Sequence, residues 1–366
     1  MRLLQVIDSL HLGGAEVLVK DIAPRFRSRG LECEVLVLSE TSSPLETALR
    51  SAGVPLHSTR IENLYSLHQV SALARLMRGF DIVHVHLFPA QLWTVLAVAR
   101  LKTRVPLVTT EHNTWNARRH WWLRPFDKWM YHHYQRIACN SQATADELIR
   151  WCPGIAGKTQ VVPNGIPLET FANAGPAELD SVPRGVPRLV FVGRFEPQKD
   201  HQTILRALAK VPAVHLLLIG DGPLRAQLQE LARALGVIER VTFLGYRNDI
   251  PQILKASDIY VHSTTSDGFG IAACEAMAAG LPVLASDVPG LAEVVGGAGV
   301  LFPMRDDRTL ALELSALLSS PERRRAMSVA SRQRAQHFSI ERTVDDYIEM
   351  YRSVLYSIPQ ANGVVV

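Results

Sequence analysis

The stretch from Ser266 to Met277, SDGFGIAACEAM, indicates the fold of this chain more clearly than any other. It follows an apolar run typical of a buried strand, Ile259–Val261, and leads into good helix formers that stop at Gly280. Glycines at a strand-to-helix turn let the backbone approach a ligand, and the free N–H groups of the first helical turn favour an anion. Phosphate is the commonest such anion, so the stretch predicts a phosphate-binding turn.

Two carboxylates flank this turn, Asp267 in the loop and Glu275 within the predicted helix. An acid beside an anion site is better suited to accept hydrogen bonds from the hydroxyls of a ribose or a hexose than to bind phosphate. A phosphate turn with two hydroxyl acceptors therefore predicts a nucleotide-sugar site. The alternative from these residues alone is a tight turn followed by an acidic residue that the helix dipole favours.

The same strand–turn–helix pattern recurs along the chain, with six strand-like apolar runs in each half. Strands that alternate with helices predict parallel sheets covered on both faces, and 366 residues suffice for two such domains. The predicted fold class is α/β, with two Rossmann-like doubly wound parallel-sheet domains at residues 1–172 and 188–339. Prolines and glycines place a linker at residues 173–187. The tail, residues 340–366, has apolar residues at helical spacing and predicts a helix that packs back on the first domain.

The hydrophobic fraction of 47% and charged fraction of 20% are typical of a soluble globular protein, and a net charge of only +4 does not indicate a nucleic-acid partner. The four cysteines are far apart, form no CxxC pair and lie in or beside apolar runs, which predicts reduced, buried thiols in a cytoplasmic protein. The start of the chain lacks a signal-peptide core and no stretch reaches transmembrane length. Any membrane association is therefore expected to be peripheral, on the cytoplasmic face.

Two basic residues follow the first strand of the second domain, Arg194 at the strand end and Lys199 near the next helix start. Arginine offers a bidentate fork for phosphate oxygens and lysine a mobile point charge. Each residue alone is equally compatible with an ordinary surface position. Both lie at the sheet edge where the Gly268–Gly270 turn is expected, and this convergence favours a diphosphate.

Other loops contribute weaker candidates. The Gly13-Gly14 pair after the first strand allows a phosphate or sugar to approach the backbone, although such a pair is more often only a turn. Tyr246 and Arg247, in a loop at the second domain's ligand-binding edge, are candidates for stacking on a nucleotide base. A solvated loop explains these two side chains at least as well.

Taken together, the motifs resemble the retaining glycosyltransferases of the GT-B fold, glycosyltransferase family four. The resemblance extends over essentially the whole chain and is carried by GGAE, the histidine after TTE, PNGI, GRFEPQKD, GDGP, FLGY and SDGFGIAACEAMAAGLPVLASDVPG. It implies two Rossmann-like domains that face a cleft, with the last helix crossing back to the first domain. It also implies a nucleotide diphosphate sugar as donor, bound mainly by the second domain.

The resemblance assigns roles to the residues that match its motifs. Arg194 and Lys199 would hold the diphosphate, and Glu275 would bind the ribose hydroxyls. Gly13 and Gly14 would let the first domain approach the sugar and phosphate, and His112 would lie near the transferred sugar. Backbone amides would help to bind the diphosphate at the glycine turn, in Gly268, Phe269, Gly270 and Ile271.

One residue departs from the family pattern, which usually has two glutamates with seven residues between them. Here the first is Asp267, one methylene shorter, so donor preference or rate is expected to change. No Asp-x-Asp pair occurs in the sequence, so we expect no metal and no cofactor. The charge of the departing diphosphate then falls to Arg194, Lys199 and helix-terminal amides. The predicted catalytic residues are thus His112, Asp267, Arg194 and Lys199, with retention at the anomeric carbon.

Residues 114–136 combine aromatic and basic side chains around a single acid, Asp127. Aromatic residues beside arginines suit an anionic membrane surface and a lipid-linked acceptor. The alternative is a buried helix with Trp122, Phe126 and Trp129 packed inward; single-stranded nucleic acid has no further support. The residues that carry the membrane interpretation are Trp115, Trp121, Trp122, Trp129, Arg118, Arg119, Arg124, Lys128 and Arg136.

The leading functional prediction is a metal-independent, retaining hexosyltransferase that uses a nucleotide diphosphate sugar and a glycan or lipid-linked acceptor in polysaccharide or glycolipid assembly. Two alternatives remain. One is a nucleotide-sugar-binding homologue with weak or no transfer activity, suggested by Asp267. The other is a nucleotide-sugar epimerase of the same fold, which the run from Asp267 to Glu275 disfavours.

Overall fold

The computed structural model describes residues 1–11, 13–101, 105–114, 116, 118–179, 182–183 and 185–357. The chain forms two compact units. The first comprises Met1–Gly165 together with the chain from Ile340 onward, and the second comprises Ile166–Ser339. Each unit has its own parallel sheet with helices on both faces, as predicted for the α/β fold class.

Seven parallel strands form the sheet of the first unit in the described chain: β1 Arg2–Ile7, β2 Glu32–Val37, β3 Leu56–Ser58, β4 Ile82–His86, β5 Leu107–Glu111, β6 Arg136–Cys139 and β7 Thr159–Val161. Their order is β3-β2-β1-β4-β5-β6-β7. The helices between them are α1 Gly14–Ser28, α2 Pro44–Ser51, α3 His68–Leu76, α4 Ala90–Arg100, α5 Arg124–His132 and α6 Gln142–Trp151. The short edge strand β3 and helix α3 have no counterpart in the sequence prediction.

The alternation of side chains along β1 explains why this sheet is covered on both faces. Leu3 and Ile7 belong to one hydrophobic core, whereas Leu4 and Val6 belong to the other. Successive residues of a strand point to opposite faces, so each face buries apolar side chains. The intervening Gln5 shares the face of Leu3 and Ile7 and is fully buried, which places a polar group inside that core.

The second unit contains six parallel strands within its described residues: β8 Arg188–Val192, β9 His215–Ile219, β10 Val241–Gly245, β11 Ile259–His262, β12 Val283–Ser286 and β13 Val300–Phe302. Their order is β10-β9-β8-β11-β12-β13, so the order of connection reverses between the neighbours β8 and β11. The helices are α7 Leu168–Ala172, α8 His201–Lys210, α9 Arg225–Ala234, α10 Ile250–Lys255, α11 Ile271–Ala279, α12 Pro289–Val295, α13 Asp307–Ser319 and α14 Pro321–Ala335. Ligands of open α/β sheets bind at such a reversal, outside the carboxyl ends of the strands.

The last helix, α15 Ile340–Tyr356, belongs to the first unit. Its buried Tyr347 and Tyr351 pack on Phe26 of α1, with ring centroids 6.4 and 5.7 Å away. At the surface, Glu341 pairs with Arg25 and Arg29 at 2.9 Å each. This is the returning terminal helix of the predicted fold class.

The boundary between the units lies earlier than predicted. Residues 166–172 belong to the second unit rather than to the first domain, and the predicted linker 173–187 belongs there too. Phe171 and Val182 are buried in the second unit's core, and the backbone N–H of Ala177 donates to the carbonyl of Gln252 at 2.9 Å. Prolines and glycines interrupt the apolar periodicity of this segment, but its individual apolar side chains are still buried in the core of the second unit.

Candidate functional site

The loops after β8 and β11 are joined at the reversal point of the second unit's sheet. The N–H of Thr265 donates to the carbonyl of Gln198 at 2.8 Å, and the Gln198 side-chain amide donates to the carbonyl of Ser266 at 2.5 Å. The Thr264 hydroxyl also donates to the carbonyl of Gln198 at 3.0 Å. These bonds fix the loop that carries Arg194 and Lys199 against the loop that carries Asp267.

Asp267 is the centre of a charged cluster between these loops. One carboxylate oxygen, Oδ2, lies 2.7 Å from Nζ of Lys199 and 3.2 Å from Nε2 of the buried His262. The other oxygen, Oδ1, accepts the N–H of Phe269 at 3.1 Å. Both oxygens of Asp267 are therefore engaged by groups of the protein.

The pKa of Asp267 reflects this cluster. Burial alone raises the pKa of a carboxyl group, but the Lys199 ammonium and the His262 imidazole overcome it and hold the pKa of Asp267 well below its usual range. Burial lowers the pKa of His262 despite the opposing effect of Asp267. At neutral pH Asp267 is thus ionised and His262 is neutral.

The glycine turn takes the shape that its sequence predicts. Gly270 caps α11 with φ of +84°, in the left-handed region that favours glycine. Gly290, at the start of α12, lies so close that a Cβ there would meet the carbonyl oxygen of Asp267 at 2.4 Å. Phe269 is buried, with its ring 5.4 Å from that of Phe338. Its side chain is therefore a core residue, and only its backbone is available to a ligand.

The remaining predicted residues of the second unit are placed differently. Arg194 is 59% exposed and pairs with Glu196 at 3.2 Å, while Glu275 is half-buried on α11. Tyr246 is exposed, and Arg247 makes two bonds to Asp249 at 2.7 and 2.6 Å, as expected for a surface loop. The structure therefore joins Lys199 to Asp267, and base stacking by Tyr246 and Arg247 stays a prediction.

In the first unit, His112 directly follows β5 and is buried. Burial lowers the pKa of its imidazole to about 4, so the ring is neutral at pH 7. Its Nε2 lies 3.1 Å from Nδ1 of His86, whereas its Nδ1 finds no hydrogen-bond partner among the described residues. Gly13 precedes α1 and Gly14 is its first residue; a Cβ at Gly13 would meet the Glu16 carboxylate at 2.5 Å.

Several polar residues near these sites were missed by the sequence interpretation. His262, His86 and Gln5 lie within mainly apolar strands, and all three are buried. Asp8 directly follows β1, where its carboxylate accepts the N–H of Ala90 at 2.7 Å; burial raises its pKa to about 7. A polar residue inside or just after a buried strand is the signal that identifies each of them.

In the aromatic and basic stretch, the three tryptophans that the structure describes are exposed, and two of the arginines are largely buried. Trp121, Trp122 and Trp129 are 83%, 60% and 42% exposed, so the alternative with Trp122 and Trp129 packed inward is wrong. Arg118 is largely buried, 3.6 Å from Asp127 and stacked on a phenylalanine ring, and Arg119 is also largely buried. Of the predicted membrane residues, Trp115 lies outside the described part of the chain.

Two absences among the described residues bear on the site. No helix there is long and apolar enough to cross a membrane. The same residues contain no group of three or more histidine, cysteine, aspartate or glutamate side chains placed to hold a metal ion.

Comparison with known proteins decides the family. Residues 12–170 match the model of "Glycosyltransferase Family 4", and residues 181–334 match that of "Glycosyl transferases group 1". The D-inositol 3-phosphate glycosyltransferase of Nocardia farcinica (strain IFM 10152) is 30% identical over 96% of this chain and 87% of its own length. The chain belongs to glycosyltransferase family 4. A second relative with the same enzyme name, from Mycolicibacterium smegmatis, is 29% identical over 93% of this chain and 86% of its own.

Solved structures agree with this family 4 assignment at the level of the fold. The Anabaena protein HepE, in complex with UDP and glucose, superposes with a TM-score of 0.83 at 24% identity, over 96% of this chain and 100% of that one. Sucrose-phosphate synthase from Thermosynechococcus elongatus gives a TM-score of 0.79 at 20% identity, over 98% and 100%. The resemblance and the GT-B fold class predicted from the sequence are thus confirmed, and the chain is a glycosyltransferase.

Proposed function

We propose that this family 4 glycosyltransferase is a retaining, metal-independent hexosyltransferase. It moves a hexose from a nucleotide diphosphate sugar to a glycan or lipid-linked acceptor in polysaccharide or glycolipid assembly. The observation that carries the proposal is the position of Lys199 beside the Gly268–Gly270 turn, at the reversal point between β8 and β11. A cation and a helix N-terminus at that point form a site for an anionic group.

In the proposed reaction, the bond between the anomeric carbon and the diphosphate oxygen breaks while an acceptor hydroxyl oxygen bonds to that carbon. The hydroxyl proton passes to the departing diphosphate, so charge and atoms balance. Lys199, Arg194 and the amides of the first turn of α11 stabilise the developing negative charge. Glu275 binds the ribose hydroxyls, and Gly13, Gly14 and His112 of the first unit contact the sugar and phosphate.

The contacts of Asp267 favour attack on the same face as the leaving group over a double displacement. A carboxylate nucleophile needs a free oxygen close below the anomeric carbon. Both oxygens of Asp267 are engaged, one by Lys199 and one by the N–H of Phe269. Asp267 is therefore assigned to holding Lys199 and the turn in place, and a lone pair that these two contacts leave on its carboxylate accepts a sugar hydroxyl.

The same contact favours a second candidate, a homologue that binds a nucleotide sugar but transfers little. Lys199 is already paired with Asp267 at 2.7 Å and has to share its charge with an incoming phosphate. Incubation with radiolabelled nucleotide sugars separates the two candidates. Release of nucleoside diphosphate that requires acceptor indicates a transferase, whereas donor binding without release indicates the second candidate. An epimerised nucleotide sugar would indicate the epimerase instead.

The acceptor panel should contain lipid extracts, oligosaccharides and inositol phosphate, because the relatives are named for a D-inositol 3-phosphate acceptor. UDP-glucose belongs among the donors, since a solved relative in fold binds it. EDTA should leave transfer unchanged, and NMR of the product should show the anomeric configuration of the donor. An inverted product, or transfer that EDTA abolishes, would contradict the proposal in that respect.

We further propose that the exposed tryptophans contact an anionic membrane on its cytoplasmic face. Trp121, Trp122 and Trp129 lie on or next to α5, whose Lys128 is also exposed. Flotation with liposomes of phosphatidylglycerol and phosphatidylcholine tests this. Replacement of Trp121 and Trp122 by Ala should abolish flotation, while Tyr65→Ala, a change at another exposed aromatic residue (66%) of the same unit, should not. Undiminished flotation of the double variant would refute the membrane contact.

A further inference from the structure

A connected group of buried polar side chains lies on the face of the first sheet that α15 covers. Its members come from three adjacent strands and from α15, and every one of them is buried. On β1 and β4 they alternate with apolar residues of the opposite core, and on β5 Thr110 shares the face of Val108, so the pleat of the sheet brings them to one face. The group comprises Gln5, His84, His86, Thr110, Tyr347 and Tyr351, and it ends at His112.

The hydrogen bonds form two branches that diverge from the side-chain amide of Gln5. On one side, Oε1 of Gln5 lies 2.7 Å from Nε2 of His86, and Nδ1 of His86 lies 3.1 Å from Nε2 of His112. On the other side, Nε2 of Gln5 donates to the hydroxyl of Tyr351 at 3.1 Å. The Tyr351 hydroxyl lies 2.6 Å from Nδ1 of His84, which reaches the Thr110 hydroxyl through its Nε2 at 2.7 Å.

The protons of the His112 branch follow from the amide of Gln5. Because Oε1 can only accept, Nε2 of His86 carries a hydrogen and donates it. A neutral His86 then has a lone pair on Nδ1, so Nε2 of His112 is the donor in the next bond. Nδ1 of His112 is consequently left with a lone pair. Burial keeps the pKa values of His86 and His112 below the usual value, which makes the required neutral rings the stable forms.

The lone pair on Nδ1 of His112 has no hydrogen-bond partner within the described part of the protein, although the atom is buried. Buried acceptors in native structures are almost always hydrogen-bonded, so a group of this kind calls for a ligand or solvent donor. The backbone here is fixed, because the carbonyl of His112 accepts a bond from the Asn140 amide at 2.8 Å. His112 also lies at the carboxyl edge of the sheet, where α/β proteins bind ligands.

We propose that Gln5, His86 and Tyr351 are positioning residues that hold His112 in its Nε2–H tautomer and thereby present Nδ1 as an acceptor for a substrate hydroxyl. Tyr351 acts by orienting the Gln5 amide, because its hydroxyl accepts from the amide nitrogen. The reverse orientation of Gln5 would reverse both bonds, and Nδ1 of His112 would then be a donor. This inference rests on the proposed sugar transfer, since a sugar supplies the hydroxyl.

The tautomer can be measured in the full chain without substrate. Long-range ¹H–¹⁵N spectra of protein labelled with ¹⁵N-histidine distinguish protonated from unprotonated ring nitrogens, and His112→Gln identifies the His112 signals. At pH 7 we expect Nε2 of His112 to be protonated and Nδ1 to be unprotonated. A protonated Nδ1, as the opposite tautomer or as an imidazolium, would overturn the proposal whatever the enzyme transfers.

Two variants with a matched control then test the positioning role. Gln5→Leu and Tyr351→Phe should each give a mixture of His112 tautomers and lower kcat/KM by roughly tenfold, the effect of one hydrogen bond to substrate. Tyr134→Phe, the same change at a buried tyrosine whose hydroxyl donates to the carbonyl of Gln91 outside this group, should keep the tautomer and kcat/KM within about twofold. If Gln5→Leu does not fold, Tyr351→Phe decides alone.

The outcomes separate this proposal from the proposed function. Retention of a single Nε2–H tautomer and full turnover in Tyr351→Phe would refute the positioning role. Equal losses in Tyr134→Phe and Tyr351→Phe would show that general loss of packing, not the tautomer, reduces activity. A wild-type protein with the expected tautomer but no sugar transfer would leave the tautomer assignment standing and defeat only the transferase proposal.

Discussion

The carboxyl edges of the two sheets hold polar side chains of opposite kinds. In the first unit, His112 ends a chain of neutral, buried groups, in which burial lowers the histidine pKa values. In the second unit, Lys199 and Asp267 form an ion pair at 2.7 Å, with Arg194 largely exposed nearby in sequence. Neutral networks fix geometry, whereas fixed charges attract and stabilise an anion. Under the proposed function, the second unit's edge suits the anionic diphosphate of the donor, and His112 suits an uncharged sugar hydroxyl.

The largest effect should follow from removing the cation of the second unit. Lys199→Met should lower kcat by about 10²- to 10³-fold, because a preorganised charge at the leaving group is lost. Lys210→Met is the matched control, because Lys210 also forms an ion pair, with Asp307, and both residues are remote in sequence from the glycine turn. Steady-state rates of nucleoside diphosphate release measure both variants. Equal rates in Lys199→Met and wild type would remove the distinction drawn between the two units.

A measurement of stability against pH tests whether His112 of the first unit is buried in its neutral form. Burial lowers the pKa of His112 to about 4 in the folded protein, whereas the pKa of an exposed histidine in the unfolded chain is 6.5. Between pH 4 and pH 6.5 the unfolded chain therefore binds a proton at this residue that the folded protein does not bind. Stability should therefore fall as pH drops from 6.5 towards 4, by about 1.4 kcal/mol per pH unit for this residue. His112→Gln should flatten the pH dependence of the thermal midpoint, whereas His68→Gln at an exposed site should leave it unchanged. An unchanged slope in His112→Gln would show that the ring is not buried neutral.

A smaller loss is expected for the exposed cation. Arg194→Ala should lower kcat/KM for the donor by about tenfold, because its 59% exposed guanidinium already shares its charge with Glu196 and with water. The KM for the donor should carry more of this loss than it does in Lys199→Met. A loss larger than that of Lys199→Met would place the main phosphate contact on Arg194 instead.

The smallest effect concerns the departure from the family pattern. Asp267→Glu should shift the ratio of kcat/KM between two donor sugars by about three- to tenfold, equivalent to roughly 1 kcal/mol. The longer side chain cannot keep both the Lys199 contact and the bond to the N–H of Phe269, so the thermal midpoint should also fall slightly. Donor competition assays measure the ratio. An identical ratio in Asp267→Glu and wild type would show that Asp267 does not determine which donor sugar is preferred.

The fold was predictable because its signals are local. Buried parallel strands are continuous apolar runs, and the glycines after β11 and the basic residues after β8 follow them directly in sequence. The short edge strand β3, of only three residues with Leu56 at its start, gives no such signal. The boundary at Gly165 was missed because α7 is tied to the second unit by tertiary burial of Phe171, which periodicity does not show.

The candidate site was predictable only in part. Lys199, Asp267 and the turn were identified from their positions in the sequence, but their direct contact depends on two loops far apart in the chain. His262 and Gln5 were missed because a polar residue in an apolar strand does not by itself indicate which residues it contacts. The partners come from other elements, Tyr351 of α15 in the case of Gln5, and only the packed structure brings them together.

We propose that the second unit binds a nucleoside diphosphate between Lys199 and the glycine turn. A crystal structure of the full chain with a bound nucleoside diphosphate tests it most directly. We expect a phosphate within hydrogen-bond distance of Nζ of Lys199 and of the backbone N–H groups between Gly268 and Ile271. A phosphate bound elsewhere, with the Lys199–Asp267 pair unchanged and the turn empty, would contradict it.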